Sequence, residues 1–113
     1  MMFSKDILKG NMSLIILSSL TDGEKYGYEI TKKVSSLTNG SIQLKEGSLY
    51  PALHKLERKG LVEGRWVQQE QGKPGRKYYR LTDEGLMTVK QEKEKWKSFI
   101  GVMGRVIYGE ENS

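Results

Sequence analysis

Ser48, Tyr50, His54 and Lys55, followed further along by Lys73, Arg76 and Lys77, are the residues whose types and spacing could do chemistry. That chemistry is the holding of a polyanion. Between Lys45 and Arg80 there are nine basic residues (Lys45, Lys55, Arg58, Lys59, Arg65, Lys73, Arg76, Lys77 and Arg80) against four acids (Glu46, Glu57, Glu63 and Glu70), a net of +5. The rest of the chain carries ten of each, so the whole excess is focused in one segment, as a nucleic-acid partner requires. Other chemistries lack their parts. His54 is the only histidine and there is no cysteine, which removes His-metal clusters, thiolate sites, disulfides and His-based triads within one chain. Gly72-Lys73-Pro74 has no Ser or Thr after the lysine and no strand-loop-helix context, so it is no phosphate loop. The remaining acids alternate with lysines as helix-surface pairs. No acid, base and nucleophile constellation remains, and the expectation is a protein that is not an enzyme and needs no cofactor or metal.

The elements that must position these side chains follow from periodicity. Leu49, Leu53 and Leu56, with Ala52, recur at helical spacing, so one side of that helix packs inward and the other carries Ser48, His54, Lys55, Arg58 and Lys59. Gly60 ends it. Pro51 is best tolerated in a first turn, which predicts Ser48 as the N-cap. Two β-prone runs come next, Leu61 to Gln68 and Arg76 to Leu81, separated by a loop of Gly, Gln, Lys and Pro. In that hairpin Val62 and Trp66, or Tyr79 and Leu81, face the core, while Arg65, Lys77 and Arg80 are free to point at a ligand; the face of Tyr78 is open. A helix leading into such a hairpin is the core of a winged helix-turn-helix, with the helix reading bases and the wing gripping the backbone.

Upstream, Ser4 to Leu20 is helical, with Ile7, Leu8, Met12, Ile15 and Ile16 on one side and Leu14 and Leu17 widening the arc, enough apolar surface for two neighbours. Thr21 to Lys25 reads as a loop. Tyr26 to Leu37 is a second helix with Tyr26, Ile30, Val34 and Leu37 as its stripe, stopped by Asn39 and Gly40. Ser41 to Leu44 either pairs as a short strand or links the second and third helices. After the wing, Thr82 is the N-cap of a helix reaching about Tyr108, with Asp83 and Glu84 in its first turn. Its residues Val89, Trp96, Phe99, Met103 and Val106, with Ile100 and Ile107 alongside, form a seam that has no partner within so small a domain.

With 113 residues and 36% hydrophobic content there is one modest core, which oligomerisation would supplement. The expected dimer interface comprises Leu8, Ile15, Trp96, Phe99, Ile100, Met103, Val106 and Ile107. Trp96 has two readings, a buried seam residue or one of two indoles brought together by a two-fold axis to hold a planar guest. In the second, Ser13 and Leu17 of the partner's first helix join Trp96 and Phe99 around a flat aromatic or cationic molecule. No stretch approaches the ~18 apolar residues of a membrane span. The run Met12 to Leu20 has three serines and no convincing small-residue cleavage site, so the expected location is the cytoplasm, away from any membrane.

The sequence resembles the PadR family of bacterial transcriptional regulators, in its short subgroup with a single C-terminal helix. The resemblance lies in Tyr26-Gly27-Tyr28-Glu29-Ile30, in Gly47 to Glu57 (GSLYPALHKLE), in Gly60-Leu61-Val62 and in Arg76 to Gly85 (RKYYRLTDEG). It departs from the common pattern at Lys45 to Ser48, where proline-glycine-threonine is more usual. What the resemblance implies is a winged helix-turn-helix dimer, mostly a repressor, whose C-terminal helices contact the partner's N-terminal helix, with a Trp at the place of Trp96 lining a central pore. The resulting expectation is a mainly α fold with a small β part (α+β), residues 1–82 forming the winged DNA-binding domain and 83–113 the dimerisation helix of one compact unit. Its function would be that of a DNA-binding transcriptional regulator, a homodimeric repressor on a palindromic double-stranded operator, released by a small hydrophobic or planar ligand. The alternative is a winged-helix dimer that binds small molecules or proteins without reading DNA.

Overall fold

The computed structural model describes residues 3–109. The first helix, α1 (Lys5–Ser19), starts where the Ser4 hydroxyl accepts from the Ile7 amide at 3.3 Å. It turns Ile16 and Leu17 into the core together with Leu20. Leu8 and Ile15 are half-buried and Ile7 is exposed. A two-residue strand, β1 (Lys25–Tyr26), then precedes α2 (Gly27–Leu37), where a loop and the helix's first residue were expected. Glu29 accepts from the Tyr26 amide at 3.2 Å and fixes the start of α2. Ile30 and Val34 are buried, whereas Leu37, the last residue of α2, is 72% exposed and not part of the buried stripe expected. Asn39 (φ 49°) and Gly40 (φ 79°) turn the chain, and the Gly40 amide donates to the Ser35 carbonyl at 2.8 Å. Residues 41–44 form a link rather than a strand and drop Leu44 into the core.

The third helix, α3 (Glu46–Arg58), is capped at Lys45, so Ser48 lies inside the helix. Pro51 therefore lies inside the helix, at an exposed position, where it has no amide to donate to the Gly47 carbonyl. The Ser48 and Leu49 amides both donate to the Lys45 carbonyl, at 3.0 and 2.8 Å, which closes the first turn ahead of the expected cap at Ser48. At the other end Gly60 (φ 76°) lets the Leu61 amide return to the Leu56 carbonyl at 3.0 Å. The hairpin of β2 (Val62–Val67) and β3 (Arg76–Leu81) pairs Val62 with Leu81, Gly64 with Tyr79 and Trp66 with Lys77. The strand β1 adds to β3 through Lys25–Tyr79 and Tyr26–Tyr78, giving the antiparallel order β1-β3-β2.

Val62 and Tyr79 take the core positions. Trp66 shares their face by alternation but lies where the hairpin has run past the body, and it is 71% exposed. Tyr78 faces the other way, edge-on to Tyr26 at 5.3 Å between ring centroids. The last helix, α4 (Asp83–Tyr108), is capped by Thr82, whose hydroxyl accepts from the Gly85 amide at 3.0 Å and donates to the Gly60 carbonyl at 2.6 Å. It places Val89 in the core and then runs beyond the body, helping to give extents of 62 × 32 × 22 Å.

Candidate nucleic-acid interface

The exposed side of α3 is a consequence of its buried one. With Leu49, Leu53 and Leu56 turned inward, Ser48, His54, Lys55, Arg58 and Lys59 stand at the surface. Tyr50 behaves differently. Its hydroxyl is pressed against Gly27, so closely that a Cβ there would overlap it, and the ring serves to dock α3 on the first turn of α2.

The cations of the segment separate into two sets. Lys77 donates to Glu57 at 3.0 Å, Arg80 to Glu63 at 2.6 Å, and Arg65 to both oxygens of Glu24, while Lys73 lies 3.7 Å from Glu70 with both side chains well exposed. Arg65, Lys77 and Arg80 are therefore not free as expected. Each has an acid that lies close only in the folded chain. Among the described residues Lys45, Lys55, Arg58, Lys59 and Arg76 form no ion pair. Arg76 lies over the Tyr26 ring with its guanidinium carbon 4.4 Å from the centroid, which orients it without neutralising it.

These pairs mark the acids as organising residues that composition alone does not reveal. Hydrogen bonding from Lys77 holds the Glu57 carboxyl below its ordinary range, and the same contact raises Lys77. Arg65 likewise lowers Glu24. Hydrogen bonds from Lys25 and Lys33 lower Asp22, tying the turn before β1 to α2. One sequence signal does point to Glu57. An acid in the last turn of a helix opposes the helix dipole and calls for a compensating cation.

The four residues expected around a guest come together. Ser13, Leu17, Trp96 and Phe99 all line one cavity of about 470 Å³ between α1, the end of α3 and α4, which Leu56 and Lys59 also border. The α1 wall belongs to the same chain, where the partner's α1 was expected. Trp96 also borders a largely apolar groove of about 680 Å³ between α1 and α2 that includes Leu8 and Ile15. Beyond it Phe99, Ile100, Val106 and Ile107 are exposed by half or more, and Met103 by about a third. No group of metal-ligating side chains occurs among the described residues, and no helix there is long and apolar enough to cross a membrane.

Known proteins are similar to this chain in sequence and fold. A protein of Lysinibacillus sphaericus is 36% identical over 95 residues, covering 84% of this chain and 86% of that one. A transcriptional regulator from Clostridium thermocellum superposes with a TM-score of 0.83 at 34% identity, over 91% of this chain and 99% of that one. Bacillus subtilis PadR, solved in complex with operator DNA, superposes with a TM-score of 0.65 at 31% identity, over 71% of this chain and 45% of that one. Residues 16–91, from the buried part of α1 through the wing to the first turns of α4, match the Transcriptional regulator PadR-like family, and to that family of regulators the chain belongs.

Proposed function

We propose that the protein is a homodimeric, sequence-specific DNA-binding repressor that works in the cytoplasm. The observation that carries this reading is the set of unneutralised cations on the outward side of α3, beside a wing whose Arg76 is also unpaired. Ser48 and His54 supply base contacts from the major groove. Lys55, Lys73 and Arg76 hold phosphates, which give affinity and register but no sequence information. The part of the chain before Asp83 acts on DNA and α4 is the dimerisation helix; the expected bounds at residues 1 and 113 lie outside the described residues. The second copy covers the exposed apolar face of α4 and brings two α3 helices to half-sites about one helical turn apart on a palindromic operator.

The test is selection of duplexes from a random pool, followed by salt titration on a selected and a random duplex. The reading requires an enriched palindrome and affinity that falls steeply with salt. No enrichment, with binding only to small molecules or proteins, would instead establish the winged helix as a scaffold that does not read DNA.

The cavity supports a ligand-released mechanism. Its Trp96 and Phe99 rings, 5.9 Å apart between centroids, offer a face to a planar aromatic or cationic guest, and its far wall is the end of α3 itself. A guest that displaces Leu56 or Lys59 shifts the recognition helix, so guest and DNA oppose each other's binding by the same factor. Dye titrations of the parent and Trp96→Ala, with and without the selected duplex, decide this. Equal affinity in both proteins excludes Trp96, and indifference to DNA excludes the switch.

A further inference from the structure

Glu57 ties the last turn of α3 to both strands of the wing. One carboxylate oxygen accepts from the Gly64 amide on β2 at 3.1 Å, and the other accepts from Lys77 on β3 at 3.0 Å. The side chains are 33% and 23% exposed, and the lysine Nζ stands 5.3 Å from the centre of the buried Tyr79 ring. Gly64 is part of the same construction. A Cβ there would lie 2.9 Å from Glu57 Oε2 and would overlap Lys77 Cε, so a side chain at this position would make the pair shift from this geometry.

As a partly exposed ion pair this contact adds little to stability. What it adds is geometry, because a carboxylate bonded on two strands at once fixes the hairpin in two directions relative to the helix. Its sign is also informative. An acid within a segment that meets a polyanion weakens binding unless it is neutralised, and here it is, at the expense of a wing lysine that would otherwise be available to phosphate.

We infer that Glu57, Gly64 and Lys77 form a latch that sets the angle between the recognition helix and the wing, and that Lys77 is a positioning residue for DNA reading rather than a phosphate contact. The inference rests on the DNA-binding reading proposed above. With the latch in place, α3 and the wing-tip cations meet one duplex geometry at once. Without it each still binds DNA, but not in register.

The experiment uses the full chain, a duplex it has selected and a random duplex. Glu57→Gln removes a negative charge while keeping an oxygen for the Gly64 amide. Simple electrostatics predicts tighter binding to both duplexes, whereas the latch predicts affinity for the selected duplex lower by about 2- to 30-fold, with the random duplex bound at least as well as by the parent. Lys77→Met also bares the Glu57 charge, so both duplexes should weaken, the selected one by the larger factor, with the log-log salt slope of the parent. Thermal unfolding of both variants is followed in parallel, so that loss of fold is not read as loss of specificity. Glu57→Gln binding the selected duplex as tightly as the parent overturns the latch, as does a Lys77→Met slope smaller by about 0.9 per contact, which marks a phosphate ligand. A parent that selects no duplex overturns the DNA-binding reading itself, and the latch's purpose with it.

Discussion

Replacing Gly85 by alanine adds one methyl group to the first turn of α4, where helix propensity alone would make it favourable by about 0.5–1 kcal/mol. The packing gives the opposite sign. The new Cβ would stand 2.9 Å from the Leu61 carbonyl carbon and 3.3 Å from its Cα, and would overlap the carbonyl oxygen. Leu61 cannot rotate away, because what is in the way is backbone. Its amide is bonded to the Leu56 carbonyl at 3.0 Å, and its carbonyl accepts from the Thr82 amide at 3.2 Å. The start of α4 must therefore back off from the turn between α3 and β2. Overpacking of this kind costs about 1–3 kcal/mol. The Thr82 bond, worth about 1 kcal/mol, stretches with it and offsets the propensity gain. The net is a loss of about 1–3 kcal/mol, or a fall in Tm of about 4–12 °C for a chain of this size. Thermal unfolding by circular dichroism at fixed protomer concentration measures it, with Gly47→Ala as the comparator. Gly47 is also helical but has nothing within 4 Å of its Cβ position, so that variant should be at least as stable as the parent. If Gly85→Ala unfolds at or above the parent's temperature, the close approach of α4 to Leu61 is not what holds that helix in place.

Other consequences can be measured directly. Ile100→Glu and Ile107→Glu, at positions exposed by more than half, should leave the fold intact but place two like charges across the proposed seam and yield monomers; light scattering that still gives a dimer for both moves the interface elsewhere. Lys73→Ala and Arg76→Ala should each weaken selected and random duplexes alike, with a salt slope lower by about 0.9 per lost contact. Unchanged slopes remove the wing from the backbone grip. The Glu57 carboxyl, held by Lys77 below its ordinary 4.5, contributes stability that is present above that pH and lost as pH falls through the lowered value. Parent and Glu57→Gln should thus differ only slightly in Tm near pH 6, as a partly exposed pair allows, and converge in strong acid; a gap that persists there places its cause elsewhere.

Periodicity made the third helix, the hairpin and the last helix legible, because burial of Leu49, Leu53 and Leu56 and pairing of Val62 with Leu81 impose local patterns. What it did not reveal is set by distant partners. The strand β1 is two residues long and exists because β3 offers it Tyr78 and Tyr79. The alternation that buries Val62 also fits Trp66, and only the length of the body shows that the second is beyond it. Charge follows the same rule. The segment's net of +5 can be read from the sequence, but not which cations carry it. Arg65 is matched by Glu24, 41 positions away, and Lys77 by Glu57, 20 away. These pairings withdraw most of the strand cations and leave Lys45, Lys55, Arg58 and Lys59 at or on α3. The focus of positive charge therefore lies on α3. On the proposed reading α3 supplies phosphate contacts as well as base contacts, and its last turn, which carries Arg58 and Lys59 outward and Glu57 toward the wing, is where grip and orientation meet.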